Sequence, residues 1–144
     1  MTGRLTDILD EKGHEVFGID AGASVLEAAQ KMVEANVGSL LVLDHGEATG
    51  IVTERDYLRR VTLQGRTERG TAVREISSSP LIVARLETTI EECMALMTDR
   101  RIRHVPVVDH GEVVGMISIG DLVKFTSKQQ SFELRYLTEY ISAH

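Results

Sequence analysis

Apolar positions fall at helical spacing twice in this chain. Val25, Ala28, Ala29, Met32 and Val33 share one face of a predicted helix, and Ile90, Cys93, Met94 and Met97 share one face of another. Each run follows a hydroxyl residue, Ser24 or Thr89, with a glutamate three positions later, Glu27 or Glu92. That spacing predicts a capping box at the start of each helix. The Met residues and Cys93 are expected in the core. Beyond each helix comes a short apolar run rich in β-branched residues, SLLVLD or HVPVVD, and then His-Gly-Glu. These predict two buried strands, each turning at Gly46 or Gly111, where a positive φ is tolerated. A second strand follows, TGIVT or VGMIS, and then a helix opening at ERDYLRRV or IGDLVKF. Pro106 lacks an N–H and is expected at an edge strand or in a strand's first residues.

The two sets of elements are copies. An offset of 65 (109 − 44) aligns Val16–Leu58 with Leu81–Val123 without a gap, and nine of the 43 pairs are identical, including all four residues of DHGE. Chance at ordinary composition gives roughly three, so the pattern is an internal duplication. Outside the copies, TLQGRTERG is polar with two glycines and predicts the connector. At the end of the chain, Phe132, Tyr136, Leu137, Tyr140 and Ile141 fall on one face of a predicted amphipathic helix.

Each copy also carries Gly-x-x-[Ser/Thr]-x-x-Asp, as GIVTERD and GMISIGD. A hydroxyl between a strand and a helix N-terminus lies where unpaired N–H groups and the helix dipole favour an anion. The aspartate one turn later can accept hydrogen bonds from the two hydroxyls of a ribose. The same residues also suit a purely structural role, with Thr53 and Ser118 as N-caps and the aspartates as first-turn charges. In order of elements and in this motif, the halves resemble cystathionine-β-synthase (CBS) domains, which occur in pairs as one Bateman module. The resemblance runs from about Val16 to Lys124. It implies an α/β fold of two tandem β-α-β-β-α repeats packed about a pseudo-twofold axis, with two clefts between them. The boundaries expected are an N-terminal lead-in segment at 1–15, repeat one at 16–62, a linker at 63–75, repeat two at 76–127 and a C-terminal amphipathic helix at 128–144.

The resemblance further implies that Thr53 with Asp56, and Ser118 with Asp121, bind nucleotide. Arg103 and His104 stand just before the strand of copy two, where related modules present side chains to phosphate. Gly38 and Ser39 hold the matching places in copy one and carry no charge. The Asp121 cleft is therefore expected to hold a mononucleotide phosphate more tightly than the Asp56 cleft. Arg55 and Gly120, inside the motifs, complete the anion-binding candidates. The lead-in sequences TDILDEK and REISSSP are expected to flank the clefts as short helices, with Asp10 and Ser77 as candidates for base contacts. Arg100 and Arg101 suit a solvated helix end.

Composition narrows the function. A hydrophobic content of 42% is enough for a shared core, and the net charge of −6 opposes a broad nucleic-acid surface. The single Cys93 rules out an intramolecular disulfide and fits a reducing compartment. With neither a signal-peptide pattern nor an apolar run of spanning length, the expectation is a soluble, cytoplasmic protein without a membrane partner. The five histidines are scattered and no nucleophile–base pair stands out, so no enzyme activity is expected. The favoured function is an adenine-nucleotide sensor, with AMP the preferred ligand over ATP, ADP or NAD. S-adenosylmethionine is less favoured, because Arg103 and His104 suit phosphate. A ligand-independent interaction module is the alternative, and a homodimer is expected in either case.

Overall fold

A computed structural model describes residues 3–129. The proposed C-terminal helix face from Phe132 to Ile141 lies outside the described residues. The chain runs α1 (Leu5–Lys12), β1 (Gly18–Asp20), α2 (Val25–Ala35), β2 (Ser39–Asp44), β3 (Glu47–Thr53) and α3 (Glu54–Tyr57), which widens into a π-helical turn at Leu58–Thr62. A 3-10 turn at Val73–Glu75 leads into β4 (Ala84–Arg85), α4 (Ile90–Arg100), β5 (His104–Asp109), β6 (Glu112–Ser118) and α5 (Ile119–Gln129). Two three-stranded sheets result, ordered β1-β2-β3 and β4-β5-β6, each with one parallel and one antiparallel pair.

The predicted caps are present. The N–H of Glu27 donates to Ser24 Oγ and that of Glu92 to Thr89 Oγ1, both at 3.1 Å. Both hairpins turn with two consecutive positive φ values, at His45 (52°) and Gly46 (83°) and at His110 (50°) and Gly111 (79°). This geometry matches the twist of the flanking strands. Met32, Met97 and Cys93 are buried as expected, but Val33 is 81% exposed. Val25, Ala28 and Met32 turn inward, and Val33 stands on the flank of that stripe.

Pro106 lies in a central strand, where one side is unpaired. Its counterpart in the first repeat, Leu41, donates its N–H to Phe17 O at 2.9 Å. Pro106 has no such hydrogen, and β4 is two residues long where β1 has three. The β4–β5 pairing starts at Ala84↔Val107, one step past the proline.

The cores are crossed. Leu5, Ile8 and Leu9 of α1 are buried with Ile90, Cys93, Val105, Val107, Ile117 and Leu122 of the second repeat. Val73 and Ile76 are buried with Val25, Met32, Leu40, Val42 and Val52 of the first. Backbone bonds hold both exchanges: Leu5 N–H to Thr88 O at 2.9 Å, and Val73 N–H to Ala23 O at 2.8 Å. Each lead-in segment therefore packs on the repeat it does not directly precede. Two apolar clusters tied together in this way cannot separate without exposing core, which couples the repeats into one unit.

Candidate functional site

The strand pairs end where the motifs begin. Ser39 is in register with Thr53, and His104 with Ser118. The first N–H of α3, from Glu54, donates to Gly38 O at 3.0 Å, and that of α5, from Ile119, donates to Arg103 O at 2.9 Å. The residues before each central strand are thus fixed beside the motif of the same repeat.

Both motifs form reciprocal caps. Asp121 accepts from Ser118 N–H at 2.8 Å, while Asp121 N–H donates to Ser118 Oγ at 3.1 Å. Asp56 accepts from Thr53 N–H at 3.0 Å and Thr53 Oγ1 at 3.1 Å, and its own N–H donates to Thr53 Oγ1 at 3.2 Å. The capping role open at the level of sequence is therefore real in each copy. It leaves room for a second role: among the described residues, each hydrogen bond to the Asp121 carboxylate ends on Oδ2.

A cavity of about 570 Å³ opens over the second motif. It is lined by Ser118, Gly120 and Asp121 together with Arg103, His104, Gly38 and Ser39. Seven of the candidates thus converge on one space drawn from both repeats, of a size that suits a small-molecule ligand. Lys12, Phe17 and Glu54 line it too, and sequence did not single them out. Lys12 Nζ donates to Asp121 Oδ2 at 2.6 Å and to Met116 O at 2.7 Å. Its sequence signal was faint, a lysine ending a predicted lead-in helix whose partner stands 109 positions away.

A second cavity, of about 490 Å³, opens over the first motif and is lined by Thr53, Arg55, Ser78 and Arg101, with Gly38, Glu54, Arg103 and His104 shared between the two. The expected charge contrast between the clefts is not what the geometry presents. Arg103 and His104 reach both, and the Thr53 cleft adds Arg55 and Arg101. Arg101, expected as part of a solvated helix end, is the exposed left-handed C-cap of α4 (φ 55°) and also lines the Thr53 cleft. Asp56 does not line this cavity, although its carboxylate makes the same kind of cap as Asp121. Ser77 lines neither cleft, its neighbour Ser78 standing there instead. Asp10 also lies outside both, on the exposed side of α1, 3.9 Å from His14 Nε2.

Burial and surrounding charges tune the site. Burial pushes the His104 imidazole below its usual 6.5, helped by Lys12 and Arg103 and opposed by Glu54 and Asp121, so it is neutral at pH 7. Burial works against ionisation of Asp121, but the Lys12 hydrogen bond and charge and the Ser118 donors outweigh it and hold the carboxyl below its usual value. The cleft therefore presents a carboxylate, a neutral imidazole and cations.

The paired repeats with crossed lead-in segments and a motif-lined cleft match a known family, and the CBS domain aligns twice, over residues 6–62 and 73–128. The chain belongs to the CBS domain family. Among relatives, the mitochondrial CBS domain-containing protein CBSX3 of Arabidopsis thaliana is 38% identical, covering 95% of this chain and 71% of that protein. A CBS-domain structure from Burkholderia ambifaria, named for signal transduction, superposes with a TM-score of 0.85 at 41% identity, covering 88% of this chain and 96% of that one. A hexameric CBS-CP12 protein from bloom-forming cyanobacteria gives a TM-score of 0.77 at 30% identity, covering 85% and 67%. CBS-domain proteins of this kind commonly serve as regulatory or signal-transduction modules. No helix among the described residues is long and apolar enough to cross a membrane.

Proposed function

We propose that this CBS pair is a regulatory sensor that binds an adenine nucleotide, AMP in preference to ATP, ADP or NAD, in the Asp121 cleft. The observation that carries this reading is the convergence of Ser118, Asp121, Arg103, His104, Gly38 and Ser39 on one cavity. Asp121 accepts the two ribose hydroxyls, one on the open Oδ1 and one on Oδ2 in place of a present donor, the Ser118 end of α5 and Arg103 take the phosphate, and Gly38 and Ser39 let backbone approach the base. The Thr53 cleft, with Arg55, Arg101 and Arg103, suits a second and more highly charged ligand. The protein acts by binding rather than by catalysis, in the nucleotide-rich cytoplasm.

Calorimetry of the full chain with AMP, ADP, ATP and NAD, against GTP and S-adenosylmethionine, tests the reading. Saturable binding of an adenine nucleotide that disappears in Asp121→Ala supports it. An absence of heat and of any melting shift at millimolar adenine nucleotide overturns it in favour of a ligand-independent interaction module. That second reading draws on a specific surface: Val33, Leu58 and Leu63 are 81%, 55% and 79% exposed on the first repeat. Apolar side chains of this kind are buried by self-association, and we take the protein to be a homodimer. The hexameric CBS-CP12 protein is a precedent for assembly in the family.

A further inference from the structure

Lys12 reaches the Asp121 cleft from outside both motifs. It ends α1, the segment buried in the second repeat's core, and Gly13 (φ 103°) then redirects the chain toward the first repeat. Its ammonium is held by Asp121 Oδ2 and Met116 O, and the pair is partly open to solvent, with side chains 36% and 21% exposed. The carboxylate oxygen that the second ribose hydroxyl would need, Oδ2, is thus already engaged by an internal cation.

We infer that Lys12 is a specificity-determining residue, making the cleft select phosphorylated nucleosides by occupying Asp121 until a phosphate offers the ammonium a replacement partner. The inference rests on the proposed nucleotide reading of the Asp121 cleft. A nucleoside whose second ribose hydroxyl takes Oδ2 leaves Lys12 with the Met116 carbonyl alone, so part of its binding free energy is lost in breaking a charge-assisted hydrogen bond. A nucleotide breaks the same bond and brings an anion into the cavity that Lys12 lines, which restores a partner. Arg103 differs, because it has no hydrogen bond to Asp121. It can favour a phosphate without penalising a nucleoside. Of the two, only Lys12 is placed to do both, and the two residues are separable by experiment.

The test is calorimetry of adenosine and AMP with the full-length wild-type protein and with Lys12→Met and Lys12→Gln. Glutamine keeps a donor for Met116 O, so it guards against a loss of packing at the end of α1, and melting temperatures verify that both variants fold. In both, adenosine should bind several-fold more tightly and AMP more weakly, so the preference for AMP falls by about tenfold or more. Arg103→Ala should weaken AMP and leave adenosine unchanged. If AMP binds the wild type but adenosine binds the Lys12 variants no better than the wild type, the role of Lys12 is wrong and the nucleotide site stands. If wild-type protein binds neither ligand, the nucleotide reading fails and this role falls with it.

Discussion

The Leu9 side chain packs onto the backbone of Gly115 so closely that a Cβ there would stand 2.6 Å from Leu9 Cδ1. The matching glycine, Gly50, has the carbonyl oxygen of Ser78 at 2.5 Å from the same point. The first glycine of each Gly-x-x-[Ser/Thr]-x-x-Asp motif is therefore where the crossed lead-in segment lies on the sheet. Both contacts forbid a side chain, but differently. At Gly115 the obstacle is a leucine that can shift rotamer, and at Gly50 it is backbone tied by Ser78 N–H to Ile51 O at 2.9 Å. Gly50→Ala should destabilise by about 2–3 kcal/mol and Gly115→Ala by about 1 kcal/mol, measured by urea denaturation. Equal losses would show that the two crossings are equally rigid.

Asp121 and Asp56 should separate by ligand. Asp121→Ala is expected to abolish adenine-nucleotide binding with AMP as ligand. Asp56→Ala should leave AMP binding within about twofold and act mainly on stability, by roughly 1 kcal/mol, through the lost Thr53 cap. Titration calorimetry together with melting curves reads both effects. Loss of AMP binding in both variants would show that the two clefts act as one.

Acid should weaken the fold through His104. Its folded pKa is depressed by burial, so below the unfolded value near 6.5 the unfolded chain binds the proton more readily than the native state. Stability is then highest above pH 6.5 and falls as pH drops through the folded pKa. His104→Gln should flatten the slope of unfolding free energy between pH 7.5 and 5.5, read from denaturant midpoints at each pH. Asp121, also depressed, adds a further loss at lower pH, as its Lys12 pair is protonated away.

Self-association should depend on the apolar flank of the first repeat. Leu58→Asp and Val33→Asp change side chains that are exposed in the single chain, so each should leave the melting temperature of the monomer nearly unchanged. Light scattering at tens of micromolar should show a dimer for the wild type and a shift to monomer in the double variant. A double variant that remains dimeric places the interface elsewhere.

Cys93 should be inert in the native protein. Burial against Ile90 and the second-repeat core pushes its thiol up to about 11, so little thiolate exists at pH 8. A disulfide reagent should react at the rate of unfolding and reach completion only in denaturant. Rapid labelling of folded protein would contradict this burial.

Local order was written in the sequence because it depends on neighbours in the chain. Ser24 with Glu27, Thr89 with Glu92 and the two DHGE turns act across three or four residues, and the structure forms each of them. The duplication was equally plain, since two copies share one offset. The motif hydroxyls and carboxylates were legible for the same reason, each capping its own helix, and all but Asp56 line a cleft.

Tertiary packing decided what sits opposite them. No periodicity places α1 on the second repeat, brings Lys12 to Asp121 across 109 positions, or carries Arg103 and His104 to both clefts. Asp10 and Ser77 were proposed from their place in the lead-in segments, but the rotation of those segments, set by burial of Ile8, Leu9, Val73 and Ile76, turns them away from the clefts. Val33 had the spacing of a core residue and lost its place because the helix buries a stripe narrower than its apolar face. Hydrogen bonds between near neighbours are encoded where they form, whereas the partner of a side chain across a cleft depends on how two buried surfaces settle against each other, and that is a property of the whole fold.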